Sequence, residues 1–302
     1  MFFPPIHNSL HPLLTLSEKK RNLYCHDFYY ELSYSIATEV LRDRFLEEIM
    51  SIGLLIIKPD AEKLGRISLL LGLLHSNGYE ILQILETEIT AVQTMEMWKY
   101  QWSAASIDRI NTNINLMKMA PSYVLILKNP RYAVSQNCPL SAILTEQKGS
   151  ADEKSRSEQH FRTVLKPLNI ILNYIHTSDE PMDIIRELGI LFEIDKLYEV
   201  YASLSHIYAN NDSISLTKKD NALIQIDEPQ KLLARVWNKI KPEIAPSAYC
   251  QLKQHFSEVY QGKNCLNLRL LQSTGAFKMW DWEWIITVSY FIEYNNGSVP
   301  IL

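Results

Sequence analysis

Two stretches decide the fold: GLLIIKPDA at residues 53–61, and NYIHTSDE at residues 173–180, which runs on into MDIIRELGILF at 182–192. The first reads as an apolar strand over 53–57 that stops at Lys58, where a proline and an acidic residue follow. The second reads as a short strand over 170–175 that delivers His176 at its end, ahead of a helix over 180–189. Between them the pattern predicts a helix from Glu62 to Ser76 and a strand from Glu80 to Ile89 after the Asn77-Gly78 turn. A helical stretch over about 92–118 and the strand SYVLILK at 122–128 follow. The segment GSADEKSRSEQH at 149–160 has no apolar periodicity and is expected to be an exposed or mobile loop. Strands interleaved with helices in this order imply an α+β domain on a small sheet.

Outward from this centre, residues 1–51 are first interrupted by prolines. They then turn helical from about Asp27 to Met50, with Phe28, Leu32, Ile36, Val40 and Phe45 roughly on one face. A helix at 195–209 closes the central unit, and NNDSISLTKKD at 210–220 is the best candidate linker in the chain. Residues 228–302 read as a mixed unit with helices at 228–241 and 246–260. The aromatic run MWDWEWIITVSYFIEY at 279–294 alternates in a way that suits a strand. Few basic residues accompany Trp280, Trp282 and Trp284, which favours a half-buried strand face over a platform for stacked bases. The expected organisation is an N-terminal arm or helix over 1–51, a sheet domain over 52–209 and a helical or mixed extension over 210–302, without internal repeats.

Composition narrows the function classes. The 302 residues are 47% hydrophobic, enough for a sizeable core, and 30 Lys plus Arg against 34 Asp plus Glu give a net charge of −4. No bulk attraction to nucleic acid or to an anionic membrane follows from that balance, so an anionic partner must be bound locally. No stretch approaches the roughly 20 apolar residues that span a bilayer. The MFFPP start, followed by HNS, lacks the features of a signal peptide, so a cytoplasmic location is expected. Cys25, Cys138, Cys250 and Cys265 are too widely spaced for a zinc site or a disulfide framework and read as reduced thiols.

His176 at a strand end can project into a cleft. A phosphate-carrying histidine needs one ring nitrogen aimed at phosphorus and the other held by an acceptor. Lys58, also at a strand end, can meet a transferring phosphate as a point charge. Each residue has an ordinary alternative: a histidine without a role, an exposed lysine, and for Asn173 and Ser178 turn residues that cap local backbone.

The IIKPDA run at 56–61 and the NYIHTSDE run at 173–180, with the ELGILF helix behind, resemble the lysine motif and the Asn-x-x-His-Gly-Ser-Asp motif of nucleoside diphosphate kinases, in order, over a little more than half the chain. The resemblance implies a ferredoxin-like sheet of four antiparallel strands covered by helices. It makes His176 the phosphate carrier and Glu187, 11 residues on, the carboxylate that orients it; a solvated helix residue is the other reading of Glu187. It makes Lys58, Asn173, Ser178, Thr145 and Arg162 contacts to the nucleotide or its neighbourhood. It implies a nucleoside triphosphate held through Mg²⁺, a small-molecule acceptor, no metal held by the protein alone and a homo-oligomer as one possible assembly.

The departures are equally specific. No arginine falls near Cys138, Arg131 being too early, and Thr145 matches the family threonine only if one residue is inserted. Arg162 is one residue short of the second family arginine, whose place is Thr163. Thr177 replaces the glycine after the histidine and adds bulk beside it, and the family's aromatic corresponds to Tyr100 or Trp102. Three readings follow: a phosphotransferase relaying phosphate through His176, a transferase acting on a nucleotide-activated substrate, and a non-catalytic nucleotide-binding scaffold.

Overall fold

The computed structural model describes residues 12–132, 138–204, 226–277 and 280–302, together with Leu216 and Ile224. The candidate linker at 210–220 therefore lies, Leu216 apart, outside the described residues.

Four strands, β1 (Ile52–Ile57), β2 (Glu80–Thr87), β3 (Ser122–Lys128) and β4 (Ile175–Thr177), form one antiparallel sheet in the order β2-β3-β1-β4. This is the ferredoxin-like topology. Both faces of the central strands are covered, which is why β1 is buried at every position and carries no polar alternation. Ile52, Leu54, Ile56, Val124 and Ile126 pack into one core, while Leu55, Ile57, Tyr123, Leu125 and Leu127 pack into another on the opposite face.

The expected 27–50 helix is two helices: with α1 (Glu18–Tyr24) ahead of them, α2 (Phe28–Leu41) is stopped where Arg42 takes φ 51°, and α3 (Phe45–Ser51) follows a short 3₁₀ turn. Of the five apolar residues assigned to one face, Ile36 and Phe45 are buried, Leu32 and Val40 are half-buried and Phe28 is exposed, because α2 starts at its Asp27 N-cap and Phe28 is its first residue. The 62–76 helix is split into α4 (Pro59–Lys63) and α5 (Ile67–Ser76), and the 92–118 stretch into α6 (Ala91–Met97) and α7 (Ile107–Met117). Two helices between β3 and β4 carry no clear periodic signal: α8 (Leu140–Lys148) and α9 (Phe161–Leu165). Then come α10 (Pro181–Leu191) and α11 (Ile194–Ser203).

β4 differs from the expected 170–175 strand and contains His176 instead of preceding it. Residues 169–174 make a turn in which the Asn169 side chain accepts from the N–H groups of Ile171 and Leu172, and Tyr174 sits at φ 69°. Ile171 and Leu172 are apolar because they enter the C-terminal core, not because they form a strand.

The C-terminal region contains α12 (Pro229–Ile240), α13 (Pro246–Tyr260), α14 (Leu268–Ser273) and α15 (Trp282–Phe291). The last replaces the expected aromatic strand. Asp281 caps it by accepting from the Trp284 N–H at 2.8 Å, and residues 284–289 are buried in succession, so the helix shows no polar face from which its period could be read. The chain then runs back along residues 100–106, the Ser106 and Asn296 N–H groups donating to the Tyr294 and Ala104 carbonyls.

All eleven residues of α10 are buried, because α2 covers the side that the sheet does not. The approach requires Gly189: a Cβ there would lie 2.3 Å from the Tyr29 carbonyl oxygen and 2.9 Å from the Ser33 Cβ. Gly189→Ala should therefore lower stability by about 1–3 kcal/mol in denaturant unfolding. Gly72→Ala, in α5 with nothing within 4 Å, should be neutral or stabilising. Equal behaviour of the two variants would disprove the tight α2–α10 contact.

Candidate functional site

The antiparallel pairing sets Ile56 opposite His176 and Ile57 opposite Ile175. Lys58 leaves β1 beside the turn that enters β4, where its N–H donates to the Tyr174 carbonyl at 2.8 Å. The two signature stretches thus meet at one sheet end. Opposite partners share a face, so His176 lies with Ile56 on the α10 side.

His176 is about one-fifth exposed, and its Nε2 lies 2.8 Å from the Glu187 Oε1. A carboxylate oxygen only accepts, so Nε2 is the donor and Nδ1 keeps its lone pair; among the described residues Nδ1 has no hydrogen-bond partner. The Ser178 hydroxyl donates to the second oxygen, Oε2, at 2.6 Å, which fixes the carboxylate from its other side. The ring meets the edge of Trp98, centroids 5.3 Å apart at 84°. Of the two aromatics singled out in the sequence, Trp102 borders the same cavity as Trp98 and His176 and donates its indole N–H to the Met95 carbonyl, while Tyr100 stacks on Tyr24.

Lys58 is 4% exposed and its ammonium donates to the Ile171 carbonyl at 2.6 Å and to Asn173 Oδ1 at 2.9 Å, with Asp60 at 3.9 Å. Burial pushes its pKa down to about 8 against the opposing pull of Asp60. Arg162 is also buried; it donates to the Gly149 and Ile175 carbonyls at 2.9 and 2.7 Å, and burial brings it down to about 10. Among the described residues its buried Nε has no partner, and neither has the buried Nε of Arg109. Lys58, Arg109, Asn113, Arg162, Asn173 and His176 border one cavity of about 180 Å³. Arg109 and Asn113 escaped the sequence reading; their spacing of four on α7, one face of one turn, was the available signal.

The remaining candidates lie elsewhere. Thr145 does not border this cavity: its hydroxyl is 2.6 Å from the Thr177 hydroxyl and 3.2 Å from both the Ser178 carbonyl and Asp179 Oδ1, so it braces the segment after the histidine. The added bulk of Thr177 is thereby turned to a contact with α8. Cys138 is exposed, and the Arg131 side chain lies over the Gly78 turn. Lys148, buried on α8 with Asp179 at 3.6 Å, is a further cation that the sequence did not single out; burial lowers it to about 8.

His176 also borders a second cavity, of about 660 Å³, enclosed by α1, the start of α10, the turn after α6 and residues 300–302.

No family model and no curated protein matches the chain. Solved structures similar to it include a nucleoside diphosphate kinase from Aquifex aeolicus, 20% identical with a TM-score of 0.39 over 48% of this chain and 96% of that one. A halophilic nucleoside diphosphate kinase from Halobacterium salinarum in complex with CDP is 14% identical, with a TM-score of 0.37 over 48% of this chain and 88% of that one. A nucleoside diphosphate kinase family protein from Babesia bovis is 14% identical, with a TM-score of 0.38 over 48% of this chain and 90% of that one. These likenesses concern the fold of about half the chain and carry no activity over to it.

Proposed function

We propose that the protein is a phosphotransferase that carries a phosphoryl group on His176, taken from a nucleoside triphosphate and passed to an acceptor. One observation carries the reading: Glu187 occupies Nε2 and leaves the Nδ1 lone pair of the neutral ring free, on a ring that borders a small cavity with three cations and, among the described residues, no carboxylate. Nδ1 attacks the γ-phosphorus, the bond to the bridging oxygen breaks, and the nucleoside diphosphate leaves with that electron pair. The positive charge arising on the ring is met by Glu187, which Ser178 keeps in place. An acceptor oxygen then attacks phosphorus and the P–N electron pair returns to the ring.

Lys58 and Arg162 suit the donor phosphates because each retains hydrogen-bonding capacity. The Lys58 ammonium has three donors and short bonds to two acceptors, and Arg162 and Arg109 keep buried, unused Nε–H groups. Mg²⁺ would arrive with the triphosphate as part of the substrate. Among the described residues no group of three or more His, Cys, Asp or Glu side chains is placed to hold a metal, and no helix is long and apolar enough to cross a membrane. A second reading, direct transfer between substrates bound in the same cleft, draws on the absence of an arginine at Cys138.

Incubation with γ-labelled ATP should give an acid-labile, base-stable protein adduct that His176→Ala abolishes. Glu187→Gln should slow its formation by a factor on the order of 10 to 10³, since an amide still accepts a hydrogen bond but no longer balances the imidazolium. Turnover by folded His176→Ala at the wild-type rate would hand the chemistry to direct transfer.

Triphosphate affinity, measured by calorimetry, should be highest below pH 8 and fall as the pH rises through about 8, because the ligand favours the charged Lys58 and high pH removes that charge. Lys58→Met should lose this slope. Lys148→Met should retain it, since Lys148 borders neither cavity. A slope unchanged in Lys58→Met would remove Lys58 from the phosphate site.

A further inference from the structure

The cavities on either side of His176 differ in charge. The small one is bordered by Lys58, Arg109 and Arg162 and, among the described residues, by no carboxylate. The large one is bordered by four carboxylates, Asp179, Glu180, Asp183 and Glu187, against the ammonium groups of Lys19 and Lys20. Lys20 is already committed, at 2.6 Å from Glu180 and 2.7 Å from Asp183. The Asp179 side chain is 60% exposed; Lys148, at 3.6 Å, and the Thr145 hydroxyl, at 3.2 Å, approach only its Oδ1. Much of the remaining wall is apolar, with Tyr24, Met97, Trp98 and Ile301. A volume of about 660 Å³ lies within the usual range of small-molecule sites.

We infer that the large cavity is a separate acceptor site for an amino alcohol with an apolar body, so that the phosphoryl group crosses His176 from a basic cavity to an acidic one. This assignment rests on the phosphotransfer reading for its chemistry, but not for its binding. A nucleoside diphosphate, with about three negative charges, would meet a net excess of carboxylate there and is disfavoured by Coulomb repulsion. A protonated amine finds Asp179, while the apolar body lies along Trp98 and Ile301. The hydroxyl oxygen of the acceptor attacks the phosphorus of phospho-His176, the P–N bond breaks with its electrons returning to the ring, and the hydroxyl proton passes to water. Donor and acceptor then occupy different cavities, and α1 and residues 300–302 gain a function as acceptor walls.

The binding claim is tested with two probes of one shape and opposite charge, tyramine and 4-hydroxyphenylacetate, titrated into the full chain by calorimetry. Tyramine should bind more tightly by about tenfold or more, the effect of one poorly screened charge contact. Asp179→Asn should erase most of that preference, and Lys58→Met should keep it. Equal binding, preference for the anion, binding of neither, or a preference lost in Lys58→Met and kept in Asp179→Asn overturns the assignment. Discharge of labelled phosphoenzyme by tyramine, faster than by ADP, tests the chemistry separately; discharge by ADP alone overturns the acceptor class. Cation preference without any phosphoenzyme would leave the cavity's charge selectivity standing and remove the phosphotransfer reading. A phosphoenzyme without cation preference would do the reverse.

Discussion

The buried ion pair between Arg186 and Asp27 holds the arrangement together. The guanidinium Nε donates to Asp27 Oδ2 at 2.9 Å with both side chains about 1% exposed, and the Tyr24 and Tyr100 rings lie 5.2 and 5.3 Å from the guanidinium carbon. Asp27 also caps α2 through the Tyr30 N–H and receives the Lys99 ammonium at 2.8 Å. One carboxylate thus ties together the start of α2, the middle of α10 and the turn after α6. Removing one partner of such a pair leaves an uncompensated charge and costs about 3–5 kcal/mol. Glu187 is the next residue along α10, about 100° further round the helix, so the rotation that points Arg186 at α2 also turns Glu187 toward β4.

The N-terminal region is consequently part of the site's support. Lys20 bridges Glu180 and Asp183 at the start of α10, and the Tyr24 hydroxyl donates to Asp183 at 2.7 Å. Glu180 and Asp183 themselves form a capping box, so α10 begins at a fixed residue just after the histidine. The His176–Glu187 distance is set from both ends of that short path.

What the sequence could show follows from how local each feature is. β1 and β3 were legible because continuous apolar runs of five or six residues bounded by turns have few other solutions. His176, Ser178 and Glu187 were legible because they lie within twelve residues of one another. Trp98 and Arg109 arrive from elements some 70 to 80 residues earlier and could be found only once the sheet had brought those elements together. α15 was misread because WDWEW alternates for five residues across the start of a helix whose residues 284–289 are buried in succession, where burial removes the polar face that marks a helix. β4 was misplaced because Ile170, Ile171 and Leu172 are apolar for the sake of a core contributed by residues after 226. Lys58 and Arg162 were recognised as cations, but their commitment to backbone carbonyls depends on the Asn169 turn and the path of residues 149–162.

The Asp27–Arg186 contact spans 159 residues of chain, and this has a consequence for biogenesis. Synthesis from the N-terminus at roughly 5–20 residues per second leaves α2 without its partner helix for on the order of ten seconds. During that interval Tyr30, Tyr34, Ile36 and Ala37, all buried in the finished molecule, have only local neighbours to cover them. Until residue 191 has cleared the ribosome that apolar surface stays uncovered by α10, and long-range closure of this kind is slow even for a free chain.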